Sequence, residues 1–247
     1  MGRIPVELNS LILIILTLSA LQVSAANIDG YGRELSKYDW KGYVDYKNWS
    51  MDHAGLDRFI ESLKNARLDS LSEDSSRALL INAYNAGMIS LIIKNYPIES
   101  VLDIEPKVFG QKAIDIDGVL YSLDDIENNL LRKMGDNRIH FAIVCGSKGC
   151  PDLAVRPYSA DSLDQQLDQA AKKYLSQEKG MSVEIDNGVV MLSSIFKWFG
   201  SDFGENTVEI LNNLARYLPE DQAQYLRDNA GKVMVRYTHY DWSLNGD

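Results

Sequence analysis

The apolar positions of the chain fall into helical periods first and into alternation later. Leu56, Phe59, Ile60 and Leu63 recur at i, i+3, i+4 and i+7, which predicts an amphipathic helix with a charged outer face. A capping box at Ser70-x-x-Glu73 opens a longer helix that should run to about Asn95, ahead of Pro97. From Leu79 to Ile93 that helix is apolar nearly all round, so it is expected to be buried on most sides. Its polar interruptions, Asn82 and Asn85, stand three apart and share a face. Alternation then takes over. Residues 113–122 alternate around Asp117-Gly118 and predict a hairpin. Ser122 with Asp125 caps a helix from Leu123 to about Met134. An apolar run from His140 to Val144 predicts a buried strand that empties into a glycine-bearing turn, Cys145 to Cys150, closed by Pro151.

The remainder follows the same grammar. Ser159 or Asp161 begins an amphipathic helix with Leu163, Leu167, Ala170 and Tyr174. Residues 183–192 predict a second hairpin turning at Asn187-Gly188, and Ser193 caps a short helix from Ile195 to Phe199. Helices fit Thr207–Leu218 and Glu220–Asn229, the latter ended by Gly231, and Lys232 to Tyr240 alternates as a last strand. Tyr31 to Trp49 reads as aromatic-rich and irregular, with residues 42–46 as an extended lead-in. Helices first, then hairpins mixed with helices, specify an α+β fold: a mostly antiparallel sheet with hairpins packed against several helices. No repeat or linker interrupts residues 31–245, so one domain is expected, residues 42–245, preceded by a lead-in at 26–41.

Composition adds a compartment. Arg3 precedes an apolar run, Leu11 to Val23, that ends in small residues and is too short to span a bilayer comfortably. It has the form of a secretory signal peptide occupying residues 1–25, which predicts a periplasmic or secreted protein with no transmembrane span after cleavage. No Cys lies near the cleavage site, which excludes lipid attachment there. Removing residues 1–25 takes away Arg3 and Glu7, one charge of each sign, so the net charge of −10 is kept. Such an acidic chain offers no basic stripe for nucleic acid. In an oxidising compartment the chain's 2 cysteines, Cys145 and Cys150, have a spacing that permits a disulfide.

The chemistry concentrates around that turn. Cys145 can be read as a thiol nucleophile at a strand end, with the amides of Gly146, Ser147, Lys148 and Gly149 forming an anion nest, or as half of a Cys145–Cys150 disulfide. His140 is the nearest candidate base, but on a strand five residues cover about 16 Å and the odd spacing turns the two side chains to opposite faces. Glu127 is a helix-borne carboxylate suited to bind loop amides or to act as acid or base. Asn82 and Asn85 either pin irregular loops to the core or orient a ligand. His239 and His53 are weaker candidates. No metal site is expected: Asp115-x-Asp117-Gly118 lacks calcium-loop ligands, and no His/Cys pair has zinc spacing. Ser147 is not in a Gly-x-Ser-x-Gly elbow, and no cofactor-binding glycine motif occurs. The aromatic residues at 40, 43, 46, 49, 240 and 242 are expected to pack the two chain ends together.

Taken together, Gly42-Tyr-Val-Asp-Tyr46, Ile81-Asn-Ala-Tyr-Asn-Ala86, Ser122-Leu-Asp-Asp-Ile-Glu127, Arg138-Ile-His-Phe-Ala142, Cys145-x4-Cys150-Pro151, Ser194-Ile-Phe-Lys-Trp198 and Tyr240-Asp-Trp-Ser-Leu-Asn245 resemble the family called domain of unknown function 547. The resemblance implies a bacterial secreted or periplasmic setting and no established activity. The family often carries His directly after the Ile-Glu pair. Here that position is Asn128, so no role of that His transfers.

Two functions are compatible with these residues. One is a non-catalytic binding or assembly module, stapled by Cys145–Cys150, for a protein, peptide or glycan partner. The other is a thiol-dependent hydrolase or transferase with Cys145 as nucleophile, loosely like the papain or transglutaminase architectures. The absence of His at 128 favours the first.

Overall fold

A computed structural model describes residues 28–247. The signal peptide expected at 1–25 lies outside the described residues. Residues 28–38, expected to be irregular, are helical (α1). A hairpin of Asp39–Trp40 (β1) and Tyr43–Val44 (β2) follows, then Tyr46–Met51 (α2) and Ala54–Ser62 (α3). The Glu34 carboxylate explains why α1 is part of the core rather than a lead-in. It accepts from Trp49 Nε1 at 2.9 Å and from Leu56 N at 2.8 Å, and also from Gly55 N. His53, at the N-cap of α3, makes no side-chain cap bond, so the anion from α1 satisfies that helix's free amides instead. Tyr31 stacks on Phe59 with ring centroids 4.7 Å apart.

The long helix Glu73–Asn95 (α4) is the centre of the molecule and is buried from Arg77 to Ile93 apart from Leu79. It is long and apolar enough to cross a membrane, yet the rest of the fold encloses it. Its N-cap is Ser72, whose hydroxyl accepts from Ser75 N at 3.2 Å, and not the capping box expected from Ser70, which lies in a 3-10 turn. The hairpin Ile114–Ile116 (β3) and Val119–Tyr121 (β4) packs directly on α4. Gly87 lies against the Ile114 side chain, and the missing Cβ lets the strand approach α4 that closely.

Ser122 and Asp125 cap each other as expected, and Asp125–Leu131 is wound as a π-helix. The helix Leu163–Leu175 (α5), the hairpin Met181–Glu184 (β5) and Val189–Leu192 (β6), and the helices Ile195–Trp198 (α6), Thr207–Ala215 (α7) and Glu220–Asn229 (α8) complete most of the chain. Met234–Tyr237 (β7) pairs with β6 in parallel. The class is α+β. The strands, however, form two separate hairpins and one three-stranded sheet, whose β5–β6 pair is antiparallel and whose β6–β7 pair is parallel.

The strand expected at His140–Val144 is absent. Asp136 Oδ1 accepts from Arg138 N at 3.0 Å and starts a 3-10 turn over Asn137–Phe141. Beyond it no neighbouring strand pairs with Ala142–Val144. Asn85 takes that place: its Nδ2 donates to Ala142 O at 3.0 Å, and its Oδ1 accepts from Val144 N at 2.8 Å. Asn82 does the same for Tyr158, at 2.8 and 2.9 Å. The apolar run signals burial, which is real, but a side-chain amide rather than a neighbouring strand satisfies its backbone.

Candidate functional site

The turn at 145–150 is held from several directions. Cys145 and Cys150 are joined in a disulfide, and no free cysteine remains among the described residues. Gly146 has a φ of +76°, and a Cβ there would meet Ile92 Cδ1 at 2.4 Å, so the loop lies directly on α4. The C-terminal tail runs alongside. Lys148 N donates to Ser243 O at 2.8 Å, Gly149 N to Asp241 O at 2.9 Å, and Asn245 N to Gly146 O at 3.0 Å. The amides of Lys148 and Gly149 are therefore engaged by the tail and are not open to an anion. Ser147 is buried, with its hydroxyl 3.1 Å from Cys145 Sγ, while the Lys148 side chain points to solvent. Tyr240 Oη lies 3.3 Å from Cys145 Sγ and 3.1 Å from Cys150 Sγ.

Beside the disulfide opens a cavity of about 180 Å³. Both cysteines, His140 and Glu127 line it together with Tyr84, Asp124 and a set of aromatic rings. The His140–Cys145 separation argued for a strand does not hold, because the 3-10 turn brings both residues to one cavity. Trp198, Tyr240 and Trp242 form a mutually packed group on its wall. Trp198 and Trp242 stack at 5.7 Å, and Tyr240 lies 4.8 Å from each. Phe109 meets Trp242 edge-on at 6.2 Å. The chain ends do meet, through Tyr46 Oη donating to Asn245 Oδ1 at 2.8 Å, but Tyr240 and Trp242 face the cavity instead, and Trp40 is exposed.

The polar end of the cavity is a chain of ionisable groups. Arg132 grips Asp202 with two bonds, Nε to Oδ2 at 2.6 Å and Nη2 to Oδ1 at 2.7 Å. Asp202 Oδ2 also lies 2.7 Å from His140 Nε2. The Arg132 hydrogen bonds hold the Asp202 carboxyl below the usual carboxylate range. A carboxylate there assigns the imidazole proton to Nε2, which leaves Nδ1 facing Glu127 Oε1 at 3.7 Å, too long for a hydrogen bond. Burial pushes the His140 pKa down, opposed by Asp202, so the ring is neutral. It stacks on Phe199 with centroids 4.4 Å apart. Glu127 moves the other way. Burial, helped by the charges of Asp124 and Asp202 and opposed by Arg132 and a hydrogen bond with Tyr84, lifts its carboxyl to about 7.

Residues 68–175 match the family described as Protein of unknown function, DUF547. Over these residues the chain is similar to DUF547. The DUF547 match holds Asn82, Asn85, Glu127, His140 and the whole Cys145–Cys150 turn, while Trp198, Asp202, Tyr240 and Trp242 reach the same cavity or its polar end from beyond it. No curated protein and no solved structure matches the chain.

At Asn128, where His often stands in DUF547, Oδ1 accepts from Arg132 Nη1 at 2.9 Å and so supports the Arg132–Asp202 pair. His239 is exposed, and His53 is half-buried beside Asp57. Among the described residues no group of three or more His, Cys, Asp or Glu is arranged to hold a metal ion. Sequence reasoning missed Asp202, Arg132, Tyr84 and Trp198. None stands in a spacing that signals a site; the fold brings them there from four separate segments.

Proposed function

We propose that this protein is an exported, non-catalytic binding module whose ligand enters the cavity beside the Cys145–Cys150 disulfide. The observation that carries the reading is the cavity itself: apolar walls, a few convergent polar groups, and a wall sulfur pair already consumed in a bond. A volume of about 180 Å³ suits a side-chain-sized group rather than a drug-sized molecule, for which roughly 300 Å³ or more is usual. The acidic chain and the signal-like segment support an extracytoplasmic setting, where the disulfide would persist.

The test uses protein purified without reductant from an extracytoplasmic fraction. Maleimide should shift no cysteine, and tryptophan emission should change saturably with at least one short probe among n-butanol, n-butylammonium, butyrate and phenol. Ile143→Phe, which fills the cavity, should abolish that change. If every probe gives only a linear response, the binding reading fails.

A second reading has one specific observation behind it: Cys145, His140 and Glu127 line one cavity. Once reduced, Cys145 would be a thiol lining the same cavity as a neutral imidazole whose Nε2 is oriented by Asp202, the groups that thiol hydrolases and transferases use. Cys145→Ser abolishing a cellular phenotype that Cys150→Ser preserves would favour this reading. Equal loss from both, with no iodoacetamide labelling of the reduced protein, would exclude it.

A further inference from the structure

The cavity is chemically one-sided. Its lining carries two carboxylates, Asp124 and Glu127, and no Lys or Arg. The nearest guanidinium, Arg132, is occupied by the bidentate Asp202, and the neighbouring imidazole is neutral. Glu127 is thus a carboxylate with a side chain only 12% exposed, facing space rather than a cation. The lining also carries Trp198, Trp242, Tyr240 and Phe109, packed against one another. Aromatic rings attract cations through their quadrupole, more strongly where water is excluded, and an apolar wall favours an alkyl body over a hydrated metal ion.

We infer that the cavity binds a small alkylammonium ion, with the ammonium against Glu127 and the alkyl body among Trp198, Trp242 and Phe109. This deepens the binding reading and rests on it. An anionic ligand is disfavoured because no positive group lines the cavity. A purely apolar ligand would leave the Glu127 carboxylate desolvated and without a counter-ion, with only the Tyr84 hydroxyl beside it. The same ammonium chemistry is found in a free amine and at the end of a lysine side chain.

Titrations of tryptophan emission at pH 8, where Glu127 is ionised, separate these cases. n-Butylammonium should bind at least about tenfold more tightly than isosteric n-butanol, and butyrate should not compete. Glu127→Gln should cut n-butylammonium affinity about tenfold or more and leave n-butanol unchanged. Trp198→Leu, which keeps the apolar wall and removes the ring, should weaken n-butylammonium alone. Nα-acetyl-lysine methylamide binding more tightly than n-butylammonium assigns the source to a lysine side chain; the reverse order assigns it to a free amine. If n-butanol or butyrate binds as well as n-butylammonium, or if Glu127→Gln leaves the selectivity intact, the alkylammonium inference is overturned while the cavity remains a binding site. If no probe saturates, both fail together.

Discussion

Two buried polar sites border residues 140–144 and differ in how they are paired. On α4, Asn85 spends its amide on one carbonyl and one N–H of that stretch, and Asn82 does the same for Tyr158. Across from His140, Glu127 has the Tyr84 hydroxyl for a neighbour but no counter-ion to match its charge. Its nearest imidazole nitrogen is 3.7 Å away, and burial raises its pKa to about 7. Both residues are helix-borne, polar and largely removed from water, so burial alone does not tell scaffold from site. What separates them is pairing. A buried polar group whose bonds are made is holding the fold, whereas one left unmatched beside open space is available to a ligand.

The strongest challenge to this contrast is Asn85→Leu. The substitution removes the partners of Ala142 O and Val144 N at once, leaving two buried backbone groups unpaired at about 1–3 kcal/mol each. A loss of about 3 kcal/mol in unfolding free energy is expected, read from the denaturant midpoint at unchanged slope. A shift below 1 kcal/mol would mean that the 142–144 stretch is held by something other than the amide.

That clamp also shows what the sequence could and could not convey. The near-continuous apolar run of α4 announced a central helix, and Asp117-Gly118 announced the β3–β4 hairpin, because both signals are local. The segment 138–144 misled for the same reason. An apolar run reports burial, and burial is compatible with a strand, a helix or a 3-10 turn; the choice was made by Asp136 and Asn85, one of them more than fifty residues away. Of the site, the sequence marked Cys145, His140 and Glu127 individually. It did not place them together, nor could it supply Asp202, which reaches His140 across 62 positions. Residues that meet only through tertiary packing carry no spacing to read.

A second way to sharpen the contrast is to neutralise the unmatched group. Glu127 has a folded pKa of about 7 against an ordinary 4.5, so between those values the folded protein holds the proton more tightly than the unfolded chain. Below pH 4.5 the carboxyl is protonated in both states and carries no differential cost. As pH rises through 7 the folded protein must keep a buried charge, and the full cost is present. Glu127→Gln should therefore match the parent in stability near pH 4 and exceed it by about 3 kcal/mol at pH 8, measured by denaturant unfolding at each pH. His140, whose pKa is lowered by burial, acts in the other direction, costing stability below about 6.5, but it is common to both proteins and cancels in the difference. A Gln variant less stable than the parent at pH 8 would show that Glu127 is paired after all, and the distinction between the two sites would collapse.

The smallest effect is expected at Lys148, and it tests the scaffold side of the contrast within the loop itself. Its position in the glycine-bearing turn marks it as a candidate for holding an anion. In the fold its N–H donates to Ser243 O, a bond any non-proline residue can make, and its side chain lies in solvent away from the cavity lining. The loop's contribution at this position is therefore backbone. Lys148→Ala should change stability by less than about 0.5 kcal/mol and leave probe titration of the cavity unaltered. A clear loss of binding would instead place the ligand over the outer face of the loop, where the lysine could reach it, and would move the site from the aromatic cavity to the surface beside the disulfide.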